Sequence, residues 1–161
     1  MQNEIEMNLK VLDKEGLLQF LRTLGAETIS RVKMTYLGKA REDSFYIRIE
    51  EISDTEGEKR FLTVKGNFKT TNGVNQRKEV TIPISASPKQ YIDFLTLIGM
   101  ELRDSKFKIR HEFHIDNLKV TLDEWNVPEL GNRLEIEGFN ESKVKEFASK
   151  IINYCDPVPS K

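Results

Sequence analysis

The chain has 161 residues, 38% of them hydrophobic, with 25 Lys and Arg against 26 Asp and Glu. This length suits one domain with a sizeable core. The balanced charge argues against a general nucleic-acid binder, which carries a basic excess. The sequence shows neither an apolar run of the roughly 20 residues that span a bilayer nor an opening signal peptide, so we expect a cytoplasmic protein with no membrane or nucleic-acid partner. The single cysteine, Cys155, excludes an internal disulfide and any zinc cluster built from cysteines.

Residues Asn3–Val11 alternate strictly between apolar and polar side chains, which predicts a strand with one apolar face. Leucines then recur at helical spacing over residues 14–24, where Asp13 is placed to cap a helix and Gly25 to end it. The alternation returns in four further segments, which predicts strands with a loop at residues 66–73 before the last of them. These strands are predicted at residues 28–37, 44–51, 60–65 and 75–84.

Ser87 and Pro88 begin a second predicted helix, which ends at Gly99. Three more strands, at residues 101–113, 118–125 and 132–138, precede a third helix at residues 141–154. The strand at 101–113 is expected to break near Asp104, and residues 156–161 are expected to form a tail after a single domain of residues 1–155. About eight strands with few long connections predict an antiparallel barrel or a strongly curved sheet with helices packed outside.

Most of the predicted strands carry acids and bases on the face opposite their apolar residues. Arg48 and Glu50, for example, alternate with Ile47 and Ile49. Such a face is typical of an ordinary antiparallel sheet with one solvated side, and periodicity alone favours that interpretation. The alternative is the inner face of a barrel, where acids hold Mg²⁺ or Mn²⁺ and cations hold a polyphosphate.

Short motifs follow one another in a fixed order from Asn3 to Gly138. They are Glu4-Ile-Glu6, Leu17-Leu18 with Leu24-Gly25-Ala26, Phe45-Tyr46-Ile47-Arg48, Thr63-Val64-Lys65-Gly66, Arg77-Lys78-Glu79, Lys108-Ile109-Arg110, Leu122-Asp123 and Leu134-Glu135-Ile136-Glu137. In this order the set resembles the CYTH family, also called triphosphate tunnel metalloenzymes, which includes class IV adenylyl cyclases, thiamine triphosphatases and inorganic triphosphatases. The resemblance implies an α+β fold in which an eight-stranded antiparallel β-barrel has charges inside and helices outside.

The resemblance also implies roles for individual residues. The carboxylates that match the family's ligands for Mg²⁺ or Mn²⁺ are Glu4, Glu6, Asp123, Glu135 and Glu137. The cations that match its phosphate-binding residues are Arg48, Lys65, Arg77, Lys108 and Arg110. The candidates for catalytic roles are Glu4, Glu6 and Lys10.

Two positions depart from the family pattern. Asn8 stands where the family has a lysine, and Glu50 stands where it has a second arginine. Asn8 removes one positive charge, whereas Glu50 removes one and adds a negative one, so the tunnel would be three units less positive. We expect this loss to weaken the binding of a triphosphate. Lys10 lies on the same strand face as Asn8 and is a candidate to replace the missing lysine.

Our leading hypothesis is a hydrolase that depends on Mg²⁺ or Mn²⁺ and acts on a triphosphate compound, with inorganic triphosphate as the simplest substrate. One alternative is a class IV-type adenylyl cyclase, which converts ATP to cyclic AMP and pyrophosphate in the same kind of tunnel. A further alternative is a tunnel that binds polyphosphate without catalysis. The expected partner is a small molecule that contains a triphosphate, and a homodimer would fit the family.

Overall fold

The computed structural model describes residues 3–39, 45–71 and 74–157, with the backbone alone of residues 3–4, 67–71 and 75–77. Within these ranges it contains nine strands and three helices. The strands are β1 (Asn3–Val11), β2 (Glu27–Lys39), β3 (Phe45–Asp54), β4 (Gly57–Thr71), β5 (Val74–Pro83), β6 (Met100–Ile115), β7 (Leu118–Trp125), β8 (Asn132–Gly138) and β9 (Cys155–Pro157). The helices are α1 (Lys14–Leu24), α2 (Pro88–Leu97) and α3 (Glu141–Lys150).

The strands form one antiparallel sheet in the order β5-β4-β3-β2-β6-β7-β8-β1-β9. Strand β5 also pairs with β1, from Asn3 opposite Lys78 to Glu6 opposite Asn75. This pairing joins the ends of the sheet into a ring of eight strands, which we call the tunnel. The α+β fold predicted from the sequence, with an antiparallel barrel inside three helices, is confirmed.

Helices α1 and α3 cover the outer face of the sheet around β1, β6, β7 and β8. Helix α1 begins where the Asp13 side chain accepts a hydrogen bond from the Gly16 backbone N–H, at 3.0 Å. Its buried stripe packs with that of α3 against the strands' apolar side chains, among which Phe113 is fully buried. The apolar residues of these four strands therefore point outwards, into the helix-covered core, and leave the opposite face for the tunnel.

Helix α2 covers a second, smaller core. It begins with a capping box between Ser87 and Gln90, and Pro88 occupies the first turn, where a missing N–H costs nothing. Leu95 of this helix packs with Leu37, Ile49 and other residues on the outer face of β2 and β3. None of the helices described in the structure has both the length and the apolar character needed to cross a bilayer.

The structure corrects the sequence predictions at several boundaries. The loop predicted at residues 66–73 is wrong, because β4 continues to Thr71 and pairs with β5 on both sides of a register shift between Lys65 and Phe68; residues 72–73 lie outside the described ranges. Strand β6 is not interrupted near Asp104 as predicted, but its register against β2 shifts at that point, where Asp104 lies opposite Tyr36 and Leu102 opposite Leu37.

The third helix ends at Lys150, four residues earlier than predicted. The chain then returns to the sheet as β9, in which Asp156 and Pro157 lie opposite Lys10 and Leu9 of β1. These two residues are the first of the predicted tail, so the described part of that tail is a short strand. The pairing of β1 with β9 lies beyond its pairing with β5, so one edge of β1 serves two strands.

Candidate functional site

The charged face of the sheet lies inside the tunnel. Glu6 is completely buried and Lys65 is 4% exposed. On the opposite face of β4 and β5, Val64 and Val80 are 37% and 49% exposed. Apolar side chains thus face the solvent where charged ones are enclosed, which is the reverse of a sheet with a solvated polar side. The interpretation of the charges as a solvated face is wrong for these strands.

Three carboxylates meet inside the tunnel between β1 and β8. Glu6 lies directly opposite Glu137 in the strand register. Glu135 lies two residues before Glu137 on β8 and points to the same face. The nearest oxygens of the three carboxylates lie within 4.8 Å of one another. Buried like charges at this separation repel strongly unless a cation or a shared proton lies between them. Clustered carboxylate oxygens are the ligands that Mg²⁺ and Mn²⁺ prefer, so these side chains fit such an ion.

The electrostatic environment of Glu135 favours its ionised form. Burial by itself raises the pKa of this carboxyl, but a hydrogen bond with Glu137 and the positive charges of Lys65, Arg110 and Lys108 lower the pKa well below its ordinary value. The carboxylate cluster and the tunnel cations therefore stabilise one another across the lumen.

Asp123 lies with the cations and outside the group formed by Glu6, Glu135 and Glu137. Lys108 donates from Nζ to one of its oxygens at 2.6 Å, and Arg110 donates to both oxygens at 2.8 and 3.0 Å. Burial raises the pKa of Asp123, but its bonds to Arg110 and Lys108 outweigh this and lower it. As the structure stands, Asp123 serves as the counter-ion of two predicted phosphate-binding residues.

The other predicted phosphate-binding cations whose side chains are described are also paired with acids. Lys65 Nζ lies 2.5 Å from Glu79, and Arg48 Nη2 lies 3.3 Å from Glu50. Burial and the nearby Arg48 lower the pKa of Lys65, but the negative charges of Glu135 and Glu79 raise it overall. Lys65 thus stays charged in the tunnel.

Lys108 differs from Lys65 in its balance of forces. Burial, followed by repulsion from Arg110, lowers the pKa of the Lys108 amine to about 8, against the attraction of Asp123. Its Nζ also lies 4.6 Å from the centre of the Trp125 ring, a cation–π geometry that places the indole on the tunnel wall. Lys108 is therefore a cation whose charge an incoming anion would stabilise.

Lys119 is a tunnel residue that is not among the predicted site residues. Its Nζ lies 2.8 Å from Glu137, so it joins the carboxylate cluster from β7. The pKa of Lys119 is lowered by burial but raised overall by Glu137. The available signal was the alternation along β7, since Lys119, Thr121 and Asp123 share one face.

Three predicted site residues are not among the described side chains inside the tunnel. Glu4 and Arg77 face each other in the backbone register of β1 and β5, and their side chains lie outside the described residues. Lys10 is exposed and lies opposite Arg133, whereas Asn8 donates a 3.3 Å hydrogen bond to Glu6. The position where the family has a lysine is thus filled by the Asn8 amide, which contacts Glu6. Lys10 is exposed and does not replace that lysine inside the tunnel.

A cavity of about 1020 Å³ opens beside the carboxylate cluster. Glu137, Lys119 and Glu79 contribute to its lining, together with His114 and the turn at Asp116 and Asn117. Both turn residues have positive φ, 49° and 65°, as the tight two-residue connection between β6 and β7 requires. The cavity is large enough to hold a small molecule beside Glu137 and Lys119.

No protein-family model matches the chain, and no curated protein matches its sequence significantly. Solved structures do match its fold. The PH1012 protein from Pyrococcus horikoshii is 18% identical with a TM-score of 0.78, over 97% of this chain and 96% of that chain. A chain of the Schizosaccharomyces pombe Mediator head module is 14% identical with a TM-score of 0.76, over 96% and 97%.

A third similar structure is HpAC1 from Hippeastrum, a candidate adenylyl cyclase with a dominant triphosphatase activity. It is 17% identical with a TM-score of 0.71, over 98% of this chain and 92% of that chain. At such low identities these likenesses concern the fold. Together with the strand ring and its buried charges, they confirm what the order of the sequence motifs predicted: this chain has the fold of the CYTH, or triphosphate tunnel, family.

Proposed function

We propose that this protein hydrolyses a triphosphate compound inside the tunnel and needs Mg²⁺ or Mn²⁺ to do so. The observation that carries the proposal is the meeting of two groups in one enclosed lumen. One group is the cluster of Glu6, Glu135 and Glu137, with oxygens within 4.8 Å of one another. The other is the row of buried cations that includes Lys65 and Lys108.

In this proposal, Glu6, Glu135 and Glu137 hold the metal ion. When bound, the ion neutralises phosphate oxygens and lowers the pKa of water. The residues of the tunnel bind and orient the substrate, and Lys65, Lys108 and Arg110 stabilise the negative charge that develops on the leaving phosphate. Each of these cations is paired with a carboxylate, so phosphate oxygens would bind the cation beside that carboxylate or in its place.

The triphosphatase activity of HpAC1 supports hydrolysis as the first activity to test, and its likeness to adenylyl cyclases makes product analysis essential. In a cyclase the ribose 3′-hydroxyl attacks in place of water. We would incubate the protein with inorganic triphosphate or with ATP, in Mg²⁺ or Mn²⁺, and resolve the products. Orthophosphate release is expected, whereas cyclic AMP with pyrophosphate would assign the cyclase reaction.

The carboxylates are tested with Glu6→Gln and Glu137→Gln. Both variants are expected to lose metal-dependent turnover, because a neutral amide is a poor ligand for a hard cation. The matched control is Glu51→Gln, which makes the same change on β3. The Glu51 carboxylate pairs with Lys33, whose side chain is 42% exposed. Undiminished turnover in both tunnel variants would remove the carboxylates from the mechanism. Tight binding of inorganic triphosphate without turnover in the wild type would support a binding tunnel instead.

A further inference from the structure

Glu50 is a buried acid that the proposed reaction does not use. It lies on β3, only 6% exposed, and its neighbours across the sheet are Met34 on β2 and Phe61 on β4. Its tunnel-facing position places a negative charge beside Arg48, a predicted phosphate-binding cation on the same face of β3. A carboxylate buried beside apolar side chains is costly, so its presence calls for a reason.

The ion pair between Glu50 and Arg48 is poorly satisfied. One oxygen of Glu50 lies 3.3 Å from Arg48 Nη2, while its other oxygen and Arg48 Nε have no hydrogen-bond partner within the described residues. Asp123, by contrast, uses both oxygens on Lys108 and Arg110 at 2.6 to 3.0 Å. Arg48 is thus held more weakly than Lys108 and Arg110, and it can donate to a phosphate oxygen while giving up less of its existing pairing.

A phosphate on Arg48 would, however, lie beside the Glu50 carboxylate. Two negative charges in a poorly solvated lumen repel each other, and the repulsion grows with each further charge on the ligand. The charge of Glu50 also acts on Arg110, so its influence extends beyond its own pair. The penalty therefore falls most heavily on the ligand with the greatest charge.

We infer that Glu50 is a specificity-determining residue that biases the tunnel against inorganic triphosphate and towards organic triphosphate esters. An ester group removes one ionisable oxygen from the terminal phosphate, so an organic triphosphate carries one negative charge fewer. This inference rests on the proposed function, since it narrows the substrate class of the same tunnel.

The test is calorimetric titration, with Mg²⁺ present and at a pH at which the terminal phosphates of both probes are fully ionised. The two probes are inorganic triphosphate and methyl triphosphate, which differ by one charge and one methyl group. Wild type is compared with Glu50→Gln and with Glu51→Gln, the same change at the neighbouring residue, whose carboxylate pairs with Lys33. Glu50→Ser, which leaves room for water at Arg48, is a second neutralising variant in case the first does not fold.

Glu50→Gln is expected to raise the affinity for both ligands. The affinity for inorganic triphosphate should rise by at least about tenfold, and the factor for methyl triphosphate should be roughly three times smaller. Glu51→Gln should change neither. If both ligands bind but Glu50→Gln and Glu50→Ser leave their affinity ratio unchanged, the inference is wrong while the proposed function stands. If neither ligand binds to the wild type or to any folded variant, the proposed function is wrong and the inference with it.

Discussion

Replacing Asp123 with asparagine tests how the tunnel tolerates its buried cations. The wild-type carboxylate neutralises Lys108 and Arg110 together, through three hydrogen bonds of 2.6 to 3.0 Å. Asparagine keeps the shape and one acceptor oxygen but leaves two cations without their charge partner. We expect Asp123→Asn to fold with a clearly lower free energy of unfolding than the wild type.

The magnitude follows from the burial of the group. The side chains of Lys108 and Asp123 are only 2% and 9% exposed, so solvent screens their attraction weakly. A unit pair at about 4 Å interacts by roughly 4 kcal/mol at an effective dielectric of about 20. Breaking one partner out of a buried pair costs about 3–5 kcal/mol, which corresponds to a fall in Tm of roughly 6–20 °C for a chain of this size.

The assay is urea and thermal unfolding of the wild type, Asp123→Asn and Asp93→Asn. The control change breaks an exposed pair on α2 between Lys89 and Asp93, whose side chains are 81% and 57% exposed, and should cost about 0.5 kcal/mol or less. Because a phosphate can replace the missing carboxylate, inorganic triphosphate should raise the Tm of Asp123→Asn more than that of the wild type. A loss below about 1 kcal/mol for Asp123→Asn would refute the idea that these cations depend on their counter-ion.

Two further predictions concern single side chains. Burial is the main cause that lowers the pKa of the Lys108 amine from the ordinary 10.5 to about 8. The amine should therefore titrate near pH 8 in NMR spectra of labelled lysines, and added inorganic triphosphate should raise that midpoint. A midpoint at the ordinary value would contradict the burial of this amine. Since the unfolded chain binds this proton up to a higher pH, Lys108 should make stability rise between about pH 8 and 10.5, a rise that Lys108→Met abolishes. Phe113→Ala, at a fully buried residue of the core under α1 and α3, should lower the free energy of unfolding by about 3–5 kcal/mol, whereas Phe94→Ala, at a 58% exposed residue, should change it by about 0.5 kcal/mol or less; equal losses in the two variants would show that the core is misassigned.

Local sequence patterns predicted the elements well where the pattern was unbroken. The bounds of β1, α1, β7 and β8 are those expected from the alternation and the caps, because period and capping residues act within a few positions. The prediction is wrong for residues 66–71 of β4, where Gly66 and the asparagines and glycine that follow favour a loop in the sequence. Pairing with β5 keeps that segment extended, and this pairing is a property of two strands together.

The alternation of charged and apolar residues determined which side chains share a face, and the order of the motifs predicted the fold. Only the tertiary structure decided which face is enclosed. The closure of β1 against β5 encloses the charged side, and the pairing of β1 with β8 brings Glu6 to Glu135 and Glu137. The pairing of β6 with β7 places Asp123 opposite Arg110 and within reach of Lys108, and the pairing of β7 with β8 places Lys119 opposite Glu137. Strand period is a local property, whereas the inside of a barrel exists only when strands distant in the sequence pair, so no single strand could reveal it.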